Sequence, residues 1–310
     1  MSHTGRCPLD FEVWPEAIEL GRLFAEQGYE LALVGGPVRD LLLHRKSHDL
    51  DFCSSARPEQ FEPILRRWGH DGFWDMGRKF GTLGAMRRRA DGTEVKVEVT
   101  TYRSDTYDPD SRKPEVNYGD TLEGDLSRRD FTVNAMALRV PDLEFVDPFG
   151  GASDLAKGVL RTPVDPSQSF DDDPLRMMRA VRFVAQLGFS IAPDAAEAIS
   201  SMRDRIEIVS AERVRDELTK MLLSDRPRAG LEALVESGLA DIVFPEIPAL
   251  QLQIDEHHRH KDVFEHTMIV LERAIALETG PDGPVPAPDL TLRLAAVMHD
   301  IGCLLYTSDA

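Results

Sequence analysis

The chain has 310 residues, 42% of them hydrophobic and 29% charged, enough to bury substantial cores and to build two or three domains. Its 36 lysines and arginines against 54 aspartates and glutamates leave a net charge of -18, which excludes indiscriminate binding of nucleic acid and leaves only local basic surfaces for that purpose. No apolar run approaches the ~20 residues that span a bilayer and the N-terminus lacks a basic-then-apolar leader, so a globular, cytoplasmic protein without membrane association is expected.

From Pro15 to Gly28 the spacing predicts an amphipathic helix, and YELALVGG reads as a short buried strand ending at paired glycines. VRDLLLHRK follows as a helix, HDLDFCSS as a second strand and PEQFEPILRRWG as another helix. GTLGAMRRR and TEVKVEVTTYR predict two strands joined at Ala90-Asp91-Gly92, whose Asp-Gly is a hairpin signal. Asp105 to Asp120 is polar and aperiodic, with Pro109 and Pro114, and is expected to be a mobile loop near a site. RRDFTVNAMALRV and LEFVDPFGG return to ordered structure, with a turn at Pro148 and Gly150-Gly151. After about Asp165 the segments DPLRMMRAVRFVAQLG, APDAAEAISSM, SAERVRDELTKMLLS and PRAGLEALVESG have helical spacing and predict an all-α region. Cys7, Cys53 and Cys303 are too scattered for a disulfide framework or a thiolate metal cluster, and reduced structural thiols are expected. Arginine clusters at 66–67, 87–89 and 128–129, and at 176, 179 and 182, read either as a basic path for RNA or as solvated faces.

The strand period of two puts Asp49 and Asp51 on one face with Leu50 on the other. Paired carboxylates suit Mg²⁺, and two such ions can serve an in-line displacement at phosphorus. Gly35, Gly36 and Arg39, in the preceding strand-to-helix turn, have the composition of a triphosphate cradle: backbone amides that can approach phosphate, a helix start, and a guanidinium fork. A third carboxylate is expected from the neighbouring strand. Glu98 stands opposite the face shared by Val95, Val97 and Val99, and Glu94 is the alternative.

LVGGPVRDLLL, HDLDF, RRDFTVNAMAL, DPFGG and DDDPLRMMRAVRF, in that order between about Leu31 and Leu223, resemble the motif set of the class II tRNA CCA-adding enzymes and bacterial poly(A) polymerases. The resemblance implies an α+β fold. A nucleotidyltransferase head over 1–150, with a small mixed sheet flanked by helices, would precede an all-α neck and body over 151–250. It also implies Mg²⁺-dependent transfer of CMP and AMP from CTP and ATP to the 3′ end of tRNA, with no obligate protein partner evident. Carried over by position, Asp49 and Asp51 would bind the metal, and Gly36 and Arg39 would contact the nucleotide. Arg129, Asp130 and Asn134 would belong to the ribose and phosphate motif, Asp147, Pro148 and the glycines would form a hinge, and Glu212 and Arg213 would brace helices.

Asp173 and Arg176 resemble the nucleotide-selecting pair of that family, although Asp172 stands where the family usually has Glu. A carboxylate accepting from an exocyclic amine and a guanidinium donating to a ring nitrogen would admit C and A together and exclude U and G. Arg179 and Arg182 continue the stepping and would hold phosphates or the primer end. HHRHKDVFEHT and AAVMHDIG resemble the start of an HD-type phosphohydrolase domain over 251–310, with His266, His299 and Asp300 as its first ligands, suited to a transition metal. Its further Asp is not found downstream, and CLLYTSDA departs from the usual continuation, which suggests a truncated end. Poly(A) addition, CC-only or A-only addition, an HD-type phosphohydrolase and a degenerate RNA-binding module are the competing readings.

Overall fold

The computed structural model describes residues 3–6, 14–45, 49–106, 115–119, 121–251, 263–280 and 285–301, with the backbone alone at 3–6, 104–106 and 115–118. Two compact units emerge, one of residues 1–157 with 161–165, the other of 158–160 with 166–310. Cys7 and Cys303 lie outside the described residues.

The first unit is built on β1 (His3–Arg6), β2 (Leu31–Val34), β3 (Asp49–Ser54), β4 (Gly72–Trp74), β5 (Thr82–Arg88), β6 (Glu94–Thr101), β9 (Ala137–Val140) and β10 (Glu144–Asp147), while β7 (Arg103–Thr106) and β8 (Glu115–Tyr118) form a separate ribbon. The sheet order is β1-β10-β9-β2-β3-β6-β5-β4, parallel only between β3 and β6. The expected small mixed sheet is therefore mixed but has eight strands, because residues before Pro15 and after Asp142 extend it at one edge. The expected loop at 105–120 is partly the β7–β8 ribbon, and its tip at 107–114 lies outside the described residues.

Helices α1 (Pro15–Ala25), α2 (Gly36–Leu42), α3 (Pro58–Trp68), α4 (Leu122–Ser127) and α5 (Gly151–Lys157) complete this unit. In α1, Ala17, Leu20 and Phe24 are fully buried at three- and four-residue steps, the stripe that a helix lays on a sheet. In β6, Val95, Val97 and Val99 are buried while Glu94, Lys96 and Glu98 face solvent, so one strand separates core from site. The division after Lys157, rather than at 150, has a local cause. Asp147 accepts from the backbone amides of Gly151 (2.7 Å) and Ala152 (3.0 Å) at the start of α5, and Thr132 Oγ1 donates to Asp154 at 2.8 Å.

The second unit holds α6 (Pro166–Asp172), α7 (Leu175–Leu187), α8 (Pro193–Met202), α9 (Ala211–Leu222), α10 (Pro227–Glu236), α11 (Ala240–Val243), α12 (Glu246–Ala249), α13 (Val263–Ala276) and α14 (Leu290–Met298). Among the described residues the strands of this unit are a two-residue parallel pair of β11 (Val159–Leu160) with β12 (Ser190–Ile191). Helix α7 is its centre, with Met177, Met178, Ala180, Val181 and Phe183 buried against α9 and α10. No helix among the described residues is long and apolar enough to cross a membrane.

Candidate active site

Strand β3 presents Asp49 and Asp51 to solvent on the face opposite Leu50, which is 1% exposed. The parallel register sets Asp51 beside Glu98 and Asp49 beside Lys96. Glu98 is thus the third carboxylate of this face. Glu94 lies at the far end of β6, opposite Arg88 and ion-paired with it at 2.7 Å. The row continues across the sheet, since Glu98 stands opposite Gly84 on β5 and Gly84 opposite Trp74 on β4. The Trp74 indole lies on that glycine, where a Cβ would fall 2.0 Å from its ring, and its Nε1 donates to Glu98 at 3.2 Å. Neither Trp74 nor Gly84 stands out in the sequence, because strand order alone makes them neighbours of the carboxylates.

Asp51 is open to solvent on one side and crowded by protein on the rest. Burial pushes its carboxyl above the ordinary aspartate range, Glu98 adds to this, Arg129 opposes it and Asp49 adds a last increment. Asp51 and Glu98 lie beside one another at this cost, with Asp49 on the same face of β3, and carboxylate oxygens are donors that suit hard divalent cations.

Asp51 and Glu98 line a cleft of about 190 Å³ together with Arg103, Arg128 and Arg129. Arg103 and Arg128 are additions to the residues expected here. All three arginines reach Asp125, a carboxylate with 0% exposure: Arg128 donates through Nε (3.2 Å) and Nη2 (2.9 Å), Arg129 through Nη2 (3.1 Å), and Arg103 through its backbone amide (3.3 Å). Burial alone would push Asp125 up, but Arg129 and Arg128 outweigh it and hold the carboxyl below its usual range.

Gly35 starts α2 at φ 73°, a conformation that favours glycine, and a Cβ there would stand 3.0 Å from Arg129 Nη1. Gly36 begins the helix, and Arg39 donates to Asp40 (2.9 and 2.8 Å) and through Nη1 to Asn134 Oδ1 (2.8 Å). Asn134 Nδ2 in turn donates to Asp130 Oδ1 at 3.0 Å. Arg39 is thus tied to a pair 95 and 91 residues further along the chain, Asn134 and Asp130, which are 6% and 8% exposed and support it. Buried Cys53 carries no reactive thiolate, since burial pushes its thiol far up.

In the second unit Asp173 and Arg176 do not present a shared open face. Arg176, 6% exposed, donates to Ser169 Oγ (2.8 Å) and O (3.2 Å), while Asp173 accepts from Leu175 N (3.2 Å) and Arg213 Nη2 (3.2 Å). The reason is that Pro174 opens α7, so Asp173 lies ahead of the helix rather than one turn along it. Arg182 is buried against Glu217 and Gln186, and Arg179 stands 4.0 Å from the same glutamate, so α9 anchors this arginine row. In the clusters at 66–67 and 87–89, four arginines form ion pairs: Arg66 with Glu62, Arg87 with Glu19, Arg88 with Glu94 and Arg89 with Glu16.

His266, His299 and Asp300 converge, with one ligand atom from each within 4.8 Å of the others. His299 Nδ1 lies 2.7 Å from the Ala296 carbonyl oxygen and its Nε2 lies 3.0 Å from Asp300 Oδ2, so each ring nitrogen faces an oxygen.

Comparison with known proteins agrees with this architecture. The family described as "Poly A polymerase head domain" matches residues 31–161, and "Probable RNA and SrmB- binding site of polymerase A" matches 188–250. The CCA-adding enzyme of Lactobacillus johnsonii is 37% identical over 233 residues, 75% of this chain, and that of Streptococcus pneumoniae 39% identical over 245 residues, 79% of this chain. The chain spans only 56% and 58% of their lengths. The crystal structure of the Bacillus stearothermophilus CCA-adding enzyme in complex with CTP superposes with a TM-score of 0.66 at 30% identity, covering 96% of this chain and 71% of that one. The carboxylate face, the glycine bend and these matches together show that the chain belongs to the CCA-adding enzyme and poly(A) polymerase family.

Proposed function

We propose that this protein adds CMP and AMP from CTP and ATP to the 3′ end of tRNA. The observation that carries the reading is the meeting of two carboxylates, Asp51 and Glu98, with three guanidinium residues, Arg103, Arg128 and Arg129, in the lining of one small cleft. Transfer at an α-phosphate needs both kinds of group: acidic oxygens beside the attacking hydroxyl, and cations along the departing pyrophosphate. Asp49, Asp51 and Glu98 would hold divalent cations, Mg²⁺ first among them, which when bound supply charge neutralisation and a more acidic attacking hydroxyl. The chain's own part is to orient. The bend at Gly35–Gly36 brings backbone amides toward phosphate, Arg39 is steadied by Asn134 and Asp130, and Arg129 spans from the bend to Asp125. Asp173 and Arg176 would read the amine and ring nitrogen shared by C and A. For that, Asp173 must exchange its contact with Arg213 and Arg176 its contacts with Ser169. Switching from C to A within one pocket requires movement, and the segment 104–118 is the proposed element for it. A location in the cytoplasm, with tRNA and nucleoside triphosphates, goes with this reading.

The test incubates the protein with Mg²⁺, a tRNA lacking its 3′ end and each labelled nucleoside triphosphate in turn. Incorporation of C and A but not U or G is expected, with loss of transfer in Asp51→Ala and blurred base choice in Asp173→Ala. Incorporation of A alone in long runs would instead mark a poly(A) polymerase. The convergence of His266, His299 and Asp300 favours a second metal site of transition-metal type, for which release of phosphate with added Ni²⁺ or Mn²⁺ is the assay.

A further inference from the structure

We propose that Asp125 is a positioning residue for nucleotide binding, its buried carboxylate fixing the Arg128 and Arg129 guanidiniums so that both face the phosphate chain of the incoming nucleoside triphosphate. The inference rests on the reading of the cleft given above. Asp125 lies on α4, and both of its oxygens are used: Oδ1 takes the Nε and Nη2 hydrogens of Arg128 together with the Arg103 amide, and Oδ2 takes Nη2 of Arg129. Two guanidiniums lining the same cleft repel one another, and a carboxylate behind them removes that repulsion while fixing two long side chains.

The geometry separates this from a brace. Arg293, which is a brace, is 4% exposed and gives its nitrogens to Glu278, Leu222 O and Ser224 O. Arg128 and Arg129 keep 23% and 22% of their side chains exposed and line the same cleft as Asp51 and Glu98. The Nε of Arg129 is buried and without a hydrogen-bond partner among the described residues, and its Nη1 faces the bend at Gly35. Asp125 therefore holds both side chains from a buried position outside the lining of the cleft, while the guanidiniums themselves line it. A cleft of about 190 Å³ has room for phosphates rather than a whole nucleotide, which matches pyrophosphate as the group bound there.

The experiment uses the full chain carrying Asp125→Asn, which keeps the shape and removes the charge. Calorimetric affinity for pyrophosphate is expected to fall about tenfold, ~1.4 kcal/mol, and KM for CTP and ATP to rise in step. KM for the tRNA acceptor stays within about twofold. A structural lesion would move nucleotide and acceptor parameters together, and that result overturns the proposal, as does unchanged pyrophosphate affinity in a folded variant. Should Asp125→Asn fail to fold, Arg128→Lys retains the charge but gives up the two-nitrogen grip. It must show the same split to a smaller degree, and an unchanged KM for nucleotide there overturns the proposal equally. If the unmodified protein transfers no nucleotide, the functional reading falls, while pyrophosphate binding still decides the role of Asp125.

Discussion

Replacing Gly84 by alanine tests whether the third carboxylate is set from across the sheet. A Cβ at this position would lie 2.0 Å from Cε2, 2.2 Å from Nε1 and 2.3 Å from Cζ2 of Trp74, all far inside contact distance. Strand β5 is held between β6 and β4, with Gly84 opposite Glu98 on one side and Trp74 on the other, so the backbone is the stiffer partner and the indole yields. Trp74 is half-buried on the edge strand and has solvent to move into. The cost is the overpacking strain or the lost cover of the ring, about 1–3 kcal/mol, together with about 1 kcal/mol for a solvent-accessible hydrogen bond to Glu98. At roughly 2–4 °C per kcal/mol, the melting temperature should drop by several degrees. Tryptophan emission should shift to the red, because Trp68 stays buried while Trp74 becomes exposed. The Mg²⁺ concentration for half-maximal transfer should rise as Glu98 loses its fixed orientation. Trp74→Phe separates the two effects, since it removes the indole N–H without filling the space and should raise the Mg²⁺ requirement at little cost in stability. A Gly84→Ala protein with unchanged emission, melting temperature and Mg²⁺ requirement would refute the argument that this row of residues sets Glu98.

Asp51→Asn should abolish transfer yet raise the melting temperature measured in a chelator, because the neutral amide relieves the repulsion from Glu98 and Asp49. A lower melting temperature would show that the carboxylates do not strain one another. In the second unit, Arg293→Met should cost about 3–5 kcal/mol, read by chemical denaturation, since it strands buried Glu278 and bares the Leu222 and Ser224 carbonyls at the end of α9. The same pair gives a pH signature. The Arg293 hydrogen bonds hold the Glu278 carboxyl below its ordinary value, so its contribution is complete above the unfolded value of ~4.3 and is lost as pH falls through the lower folded value. Denaturation of wild type and Glu278→Gln should therefore differ most at neutral pH and converge in acid, and a gap that widens in acid would contradict the assignment.

The parts of the site that were legible in the sequence are those that a single strand or turn dictates. Asp49-Leu50-Asp51 and the valines around Glu98 follow the strand period, and that period is what separates site from core in β3 and β6. Choosing Glu98 over Glu94 needed the register between β3 and β6, which no local pattern carries. Trp74, Gly84, Arg103 and Asp125 entered only through pairing and packing of segments distant in sequence. The β7–β8 ribbon was hidden because RSDT and EVNY are polar and flank prolines, so alternation of hydrophobicity is too weak to mark them. The arginine runs at 66 and 87–89 resemble a nucleic-acid surface until α1 and α3 bring Glu16, Glu19 and Glu62 against them.

The proposed function asks a chain of net charge -18, with these arginines already paired, to receive a polyanion. Long-range attraction is absent, and screening at physiological salt would reduce it to about 8 Å in any case. Recognition must then come from cations fixed within contact distance of the phosphates, and a flexible surface arginine would lose entropy on each binding event. Asp125 meets this requirement at the least expense of charge, since one buried carboxylate organises two guanidiniums and leaves the wall of the cleft positive. The acidic lining differs in sense: burial and the neighbouring Glu98 raise Asp51 above the ordinary aspartate range, while Arg129 and Arg128 hold Asp125 below it. On the proposed function a nucleotide carrying its cation would meet both sets of groups at once, so the cleft would favour that complex over either the free ion or the free triphosphate.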